Sequence, residues 1–182
     1  MVTIIVIVAV VALVALWLIS SQRKLVSADE LCKNALSQIG VQQNSRWDAL
    51  TALAELTKGY SEHEYKTLMD VIGQRASIGR NSTVADASAQ EGKIAEAMRL
   101  INVVAEQYPA LKANETYLKT MDEVSKYENQ VRLSRMTFND TVTRFNRMVR
   151  MFPDSIAAAI FGFQAKDYLA EPQGKTDMPS MK

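Results

Sequence analysis

The sequence predicts an all-α protein in which an apolar N-terminal segment continues into long helices. A continuous apolar run opens the chain, and beyond it apolar residues recur at three- and four-residue intervals. No stretch shows the alternation that is typical of strands, and only 7 glycines and 4 prolines interrupt 182 residues. We therefore expect a membrane anchor at residues 1–20, one helical domain at residues 21–170, and a tail at residues 171–182.

The N-terminal run has the length of a transmembrane helix. Residues 2–19 are apolar except for Thr3, and 18 helical residues span about 27 Å, close to the hydrocarbon thickness of a bilayer. Trp17 lies near one end, where aromatic side chains favour the membrane interface. No basic residue precedes the run and WLISSQ is a poor cleavage site, so we expect an uncleaved, single-pass anchor.

The charges beside the anchor predict its orientation. Arg23, Lys24 and Lys33 all lie on its C-terminal side. The positive-inside rule then places the helical domain in the cytoplasm.

Helical spacing continues beyond the anchor from Leu25 to Leu56, which predicts a rigid stalk that continues as a bundle helix. Gly40 is its one weak point, and Gly59 is suited to end it. A second helix is predicted to begin at Ser61, where Glu64 completes a capping box.

The middle of the chain predicts an interrupted helix. Residues 76–88 are small and polar, typical of a weak helix or an exposed kink. The helical pattern resumes through residues 94–104 and must end by Tyr108, because Pro109 follows.

A heptad seam marks the last long helix, predicted to begin near Asn114-Glu115. Its members alternate three and four apart almost throughout: Leu118, Met121, Val124, Glu128, Val131, Arg135, Phe138, Val142, Phe145, Val149 and Phe152. Phe138-Asn139 and Phe145-Asn146 also repeat with a spacing of seven. The tail after Ala170 has no apolar periodicity, so we expect it to be disordered.

The composition excludes several classes of function. The formal net charge is +1, so no overall basic charge favours nucleic acid. One cysteine, Cys32, excludes an internal disulfide framework and a cysteine-rich zinc site. No P-loop and no G-x-G-x-x-G occurs. We expect no cofactor, no metal and no nucleic-acid partner.

Several strings resemble the LemA family of membrane-anchored bacterial helical-bundle proteins. They are WDALTALAELTKGYSEHE (47–64), AEQYPALKANETYL (105–118), YENQVRLSRMTFNDTVTRFNRMVRMFPDSIAA (127–158) and FGF (161–163). The chain departs from the family at Thr51 and Ala52, where a proline and an asparagine are usual. The resemblance implies a three-to-four-helix antiparallel bundle on a single anchor in the bacterial inner membrane, and it supplies no reaction.

His63 and Glu128 are the candidates for metal or acid–base chemistry. His63 lies between Glu62 and Glu64, but adjacent helical residues point in different directions and no second histidine is present. We therefore interpret His63 as a surface residue of a capping turn.

Charged and amide side chains on the seam predict a buried polar network. Glu128 and Arg135 lie seven apart, and Asn139 and Asn146 lie beside the seam. The alternatives are a network that fixes helix register and a site for a polar ligand or metal inside the bundle. Arg144, Arg147 and Arg150 share another face, either solvated or in contact with anionic lipid or an acidic neighbour.

Residues 155–170 are the strongest candidate for function. Pro153 ends the long helix and Asp154-Ser155 can cap a short one. Residues 156–163 would span about 12 Å as helix, too short to cross a bilayer. Ile156, Ile160, Phe161 and Phe163 could instead seal the bundle as a lid, or offer an apolar interface to a neighbouring copy or the membrane surface.

These features predict a non-enzymatic, membrane-anchored bundle that self-associates or scaffolds other proteins. Its expected partners are membrane lipid and its own copies. Two alternatives remain. One is an accessory or sensing subunit that works with a membrane-protein partner, in a protease or remodelling complex. The other is a metal-dependent hydrolase that uses Glu128 and His63.

Overall fold

A computed structural model describes residues 1–170, and all of its regular structure there is helical. The predicted all-α class is confirmed. The six helices are α1 (Val2–Thr57), α2 (Glu62–Ile72), α3 (Val84–Gln107), α4 (Pro109–Lys112), α5 (Glu115–Arg150) and α6 (Asp154–Phe161). The predicted tail, residues 171–182, lies outside the described residues.

Helix α1 is continuous over 56 residues, about 84 Å. Its first part is long and apolar enough to cross a membrane, and residues 1–16 are all exposed. The helix passes through Gly40 without a break and ends at Thr57, which places Gly59 just beyond the cap at Lys58.

The core divides into three clusters along α1. The cluster farthest from the apolar segment surrounds Trp47 and joins α1 to α2, α3 and α5. The middle cluster surrounds Cys32 and Phe145, and the third, at Leu25, joins α1 to α6. Because α5 contributes Val124 to the first cluster and Phe145 to the second, α5 runs antiparallel to α1.

The predicted interruption at residues 76–88 is a loop between α2 and α3 that ends earlier than predicted, because residues 84–88 are already helical. A loop joins Ile72 to Thr83, and α3 then begins with a full capping box between Thr83 and Asp86. Ile78 in this loop is buried in the middle cluster rather than exposed. The T-x-x-D signal explains why helix begins before residue 88.

The heptad seam holds in the middle of α5 and fails at both ends. Val124, Val131, Phe138, Val142 and Phe145 are buried as predicted. Leu118 is exposed because the neighbouring Tyr117 takes the buried position in the first turn, and α5 ends at Arg150, so Phe152 lies in the following turn, exposed. The predicted start is confirmed, since the Asn114 side chain accepts from the backbone N–H groups of Thr116 and Tyr117.

Candidate functional site

The end of the bundle nearest the apolar segment is formed by the turn between α5 and α6. Asp154 begins α6 but makes no side-chain cap, contrary to the sequence expectation. Its Oδ1 instead accepts a hydrogen bond of 2.7 Å from the hydroxyl of Ser21 in α1. This bond places the turn level with Ser21, one residue beyond the predicted anchor boundary.

Helix α6 packs against α1 through two alanines. Ala157 and Ala158 are buried against Leu25. Around this contact lie five partly buried side chains: Trp17, Leu18, Met148, Val149 and Phe163. Because Trp17 and Leu18 belong to the apolar run, α6 contacts the candidate membrane helix itself.

The larger apolar side chains of this region face outward. Ile156, Ile160 and Phe161 of α6 are 48%, 61% and 45% exposed, and Phe152 in the preceding turn is 80% exposed. Phe163 alone among the four predicted lid or interface residues is half-buried, with its ring edge-on to Phe145 at 6.2 Å. The bundle contact is therefore made by alanines and Phe163, whereas three of the four predicted residues are left uncovered.

An extended segment, residues 163–170, follows α6 and lies along α5; we call it the C-terminal strap. Gly162 makes the reversal possible with a left-handed φ of 75°, which a side chain would oppose. The Phe163 N–H then donates to the carbonyl of Ala158. At the other end of the strap, Leu169 is buried in the middle cluster.

Two asparagines of α5 hold the strap through its backbone. The Asn146 amide donates to the carbonyl of Lys166 at 2.9 Å and accepts from the Lys166 N–H at 2.8 Å. Asn139 makes the same pair of bonds with Leu169, both at 3.0 Å. Seven helical residues rise about 10.5 Å and three extended residues about 10 Å, so the heptad repeat of α5 matches the three-residue step of the strap.

The predicted polar network divides between two locations. Arg135 extends the asparagine series by donating to the carbonyl of Ala170. Glu128 is half-buried and lines a different groove of about 400 Å³, where Arg46 and Arg99 also lie. Three of the four residues thus hold the strap rather than a neighbouring helix.

One ion pair ties the strap to α1. The Lys166 ammonium lies 2.7 Å from Asp29 and 5.3 Å from the centre of the Phe145 ring. Lys33 also pairs with Asp29, at 2.8 Å. Burial acts to raise the pKa of Asp29, but the hydrogen bonds from Lys166 and Lys33 prevail and hold this pKa below its ordinary 3.8.

A second buried polar network joins α1 to α3 and was not predicted. Arg46 is 5% exposed and pairs with Glu91 at 2.5 Å, while Gln43 donates to Glu91 and to the carbonyl of Ala87. The Trp47 indole donates to Gln90. The available signal was spacing: Gln43 and Arg46 lie on the same helical stripe as Ile39 and Leu50.

The described residues give no support to the alternative of a metal-dependent hydrolase that uses Glu128 and His63. His63 is exposed and is not among the side chains that line the groove at Glu128. Within residues 1–170 no group of three or more potential metal ligands occurs.

Comparison with known proteins places the chain in a family. A sequence profile of the LemA family matches residues 35–182. Protein LemA of Metamycoplasma hominis is 30% identical over 122 residues, which cover 66% of this chain and 55% of that protein. Magnetosome protein MamQ 2 of Paramagnetospirillum magneticum is 27% identical over 112 residues, 61% of this chain and 38% of the relative.

A shorter match is magnetosome protein MamQ of Magnetospirillum gryphiswaldense, 28% identical over 87 residues, 47% of this chain and 32% of the relative. The matches thus span from 32% to 55% of the length of these curated relatives. Together with the apolar start of α1, they are consistent with a membrane-anchored helical protein, and LemA is not a known enzyme family. With its profile match over most of its length, the chain belongs to the LemA family.

Proposed function

We propose that this protein is a non-enzymatic membrane scaffold whose copies assemble side by side through the outer face of α1. Residues 1–20 would anchor it, and the unbroken helix would carry the bundle away from the bilayer as a rigid stalk. Anchors that hold copies parallel in one membrane raise the local concentration of any face that they share.

The observation that carries the proposal is an uncharged stripe on the exposed side of α1. Leu31, Asn34, Gln38 and Val41 are exposed and alternate three and four apart. No charged residue occurs from 34 to 45. A heptad stripe without charge is suited to helix pairing, and polar residues within such a stripe specify register and partner number.

Disulfide crosslinking in native membranes tests this face directly. The only cysteine, Cys32, is buried, so Gln38→Cys introduces one exposed thiol. We expect oxidation to give crosslinked dimers of Gln38→Cys and none of the parent chain. Gln130→Cys, on an exposed position of α5, is the matched control. Equal crosslinking of the two variants would contradict the proposal.

Charge insertion tests whether the same face supports assembly. Val41→Glu places a carboxylate on the stripe, and we expect a smaller complex in mild detergent. Leu133→Glu makes a comparable change at an exposed site of α5 and should leave the size unchanged. Helical content measured on both variants separates lost assembly from lost folding.

The unbroken helix also favours a second candidate, an accessory or sensing subunit. Because α1 runs from the apolar segment to the Trp47 cluster, a movement at the membrane would reach the core of the bundle. Recovery of one stoichiometric membrane-protein partner, without crosslinked copies of this chain, would support this role over self-assembly.

The proposal places the anchor in the bacterial inner membrane and the helical domain in the cytoplasm. This orientation is supported by the basic residues Arg23, Lys24 and Lys33 on the C-terminal side of the anchor. Protease added outside intact spheroplasts should leave the bundle uncut. Digestion of the bundle under those conditions would reverse the orientation.

A further inference from the structure

The exposed apolar residues at the α5–α6 turn lie where a bilayer surface would be. The Ser21–Asp154 hydrogen bond fixes the start of α6 one residue beyond the proposed anchor. Helix α6 then packs on Trp17 and Leu18, whereas all of residues 1–16 are exposed. The bundle therefore meets the proposed transmembrane segment through α6.

Basic side chains lie on both helices that are next to this apolar surface. Arg147 and Arg150 occupy the last turn of α5, and Arg23 and Lys24 follow the apolar run of α1. All four are exposed, and none forms an ion pair within residues 1–170. The only carboxylate of the turn, Asp154, is engaged by Ser21.

We propose that Phe152, Ile156 and Ile160 form an interfacial foot that inserts into the bilayer surface, while Arg147 and Arg150 contact anionic lipid headgroups. This inference rests on the proposed membrane anchor. Apolar side chains flanked by arginine are the composition of segments that lie in the membrane interface. A foot joined to α1 at Ser21 would fix the tilt and rotation of the stalk relative to the membrane.

The geometry favours lipid over the chain's own core as the cover of this surface. The side of α6 that faces the bundle is already filled by Ala157 and Ala158, at 0% and 1% exposure. Phe152, at 80% exposure, has no comparable contact with the bundle. Both the turn and α6 lie beside the helix that enters the membrane, so insertion needs no rearrangement of the described contacts.

Depth-dependent quenching on the full chain tests the foot. Phe152→Cys and Ile160→Cys are each labelled with an environment-sensitive fluorophore and reconstituted in phosphatidylcholine–phosphatidylglycerol liposomes. Leu133→Cys is the control, because Leu133 is exposed on α5 about 26 Å from the end of that helix. The parent chain, with buried Cys32, reports background labelling.

We expect labels at residues 152 and 160 to emit at shorter wavelength and to be quenched by shallow spin-labelled lipid. The label at 133 should be quenched by aqueous acrylamide. Acrylamide quenching at all three sites would overturn the foot. Protection from both quenchers at 152 and 160 would also overturn it, because a neighbouring protein would then cover the surface.

Two further measurements complete the test. Arg147→Gln with Arg150→Gln should reduce lipid quenching at residue 160 in liposomes with phosphatidylglycerol, and have little effect in phosphatidylcholine alone. An equal effect in both lipids would refute the proposed contact of Arg147 and Arg150 with anionic headgroups. Flotation of the parent chain with the liposomes separates failure of the anchor from failure of the foot. A chain that does not float refutes the anchor. A chain that floats while the labels at residues 152 and 160 are quenched by acrylamide refutes only the foot.

Discussion

Gly40 in α1 lies directly against the backbone of Ile78, in the loop between α2 and α3. A Cβ atom at Gly40 would be 2.1 Å from the Ile78 carbonyl oxygen and 2.8 Å from its carbonyl carbon. The missing side chain therefore lets the loop rest on α1 and lets Ile78 enter the middle cluster. A glycine at position 40 lowers the helix propensity of α1, but its lack of a side chain is what makes this contact possible.

Gly40→Ala should destabilise the protein, because the backbone of the loop would have to move. Overpacking of this kind costs about 1–3 kcal/mol, which outweighs the gain in helix propensity. Gly92→Ala, in α3, is the matched control because nothing lies within 4 Å of its added methyl group. We expect chemical denaturation to show opposite signs for the two variants. Destabilisation of the same sign and size in both would contradict the close contact.

Asn146→Ala should release the C-terminal strap. The substitution removes both hydrogen bonds to Lys166 and leaves the strap backbone without partners, a cost of about 1–3 kcal/mol. Hydrogen exchange should show faster exchange of the Lys166 amide, with helices α1 and α3 unchanged. Asn129→Ala, an exposed asparagine of the same helix, should leave the strap amides protected. Unchanged exchange at Lys166 would show that its amide is held by other contacts.

The strap illustrates what sequence patterns reveal and what they leave out. The Phe-Asn repeat of α5 was visible, and it predicted that Asn139 and Asn146 share one face. Their partner was not visible, because the two asparagines bind backbone atoms of the strap, which have no sequence signature. The sequence therefore suggested that Asn139 and Asn146 belong to a network between helices, whereas in the structure they hold the extended strap.

The long helices were predictable because their apolar periodicity is strong and their caps are local. The Asn114 cap and the buried middle of the seam needed no tertiary information. The burial of Ile78 and of the Arg46–Glu91 pair depends on which helices and loops pack against each other. The periodicity of a single sequence does not reveal that packing. Phe152 fits the spacing of the seam, but it is not buried with the seam because α5 ends at Arg150, before this residue.

The Asp29–Lys166 pair predicts a dependence of stability on acid pH. The folded-state pKa of Asp29 lies below the ordinary 3.8, so the unfolded state binds the proton more readily. The stabilisation is then fully present above that value and is lost as pH falls through the folded pKa. Asp29→Asn should be less stable than the parent at pH 7, and the difference should shrink below pH 3.8.

Denaturation midpoints measured between pH 2 and pH 7 check this expectation. Asp70→Asn removes an exposed carboxylate of α2 and serves as the control for net charge. A stability difference for Asp29→Asn that stays constant across the range would show that the Asp29 charge contributes nothing.

The Arg46–Glu91 pair should be the most sensitive polar contact of the bundle. Glu91→Ala removes the partner of the buried Arg46 side chain and also takes an acceptor from Gln43. Loss of one member of a buried pair costs about 3 kcal/mol, because the remaining charge stays buried without compensation. Replacing both residues, as Arg46→Met with Glu91→Ala, should recover part of that stability. Asp122→Asn, which breaks the exposed pair with Lys126, should leave the midpoint nearly unchanged. If the double variant is less stable than Glu91→Ala alone, the stabilisation comes from packing of the Arg46 side chain rather than from its charge.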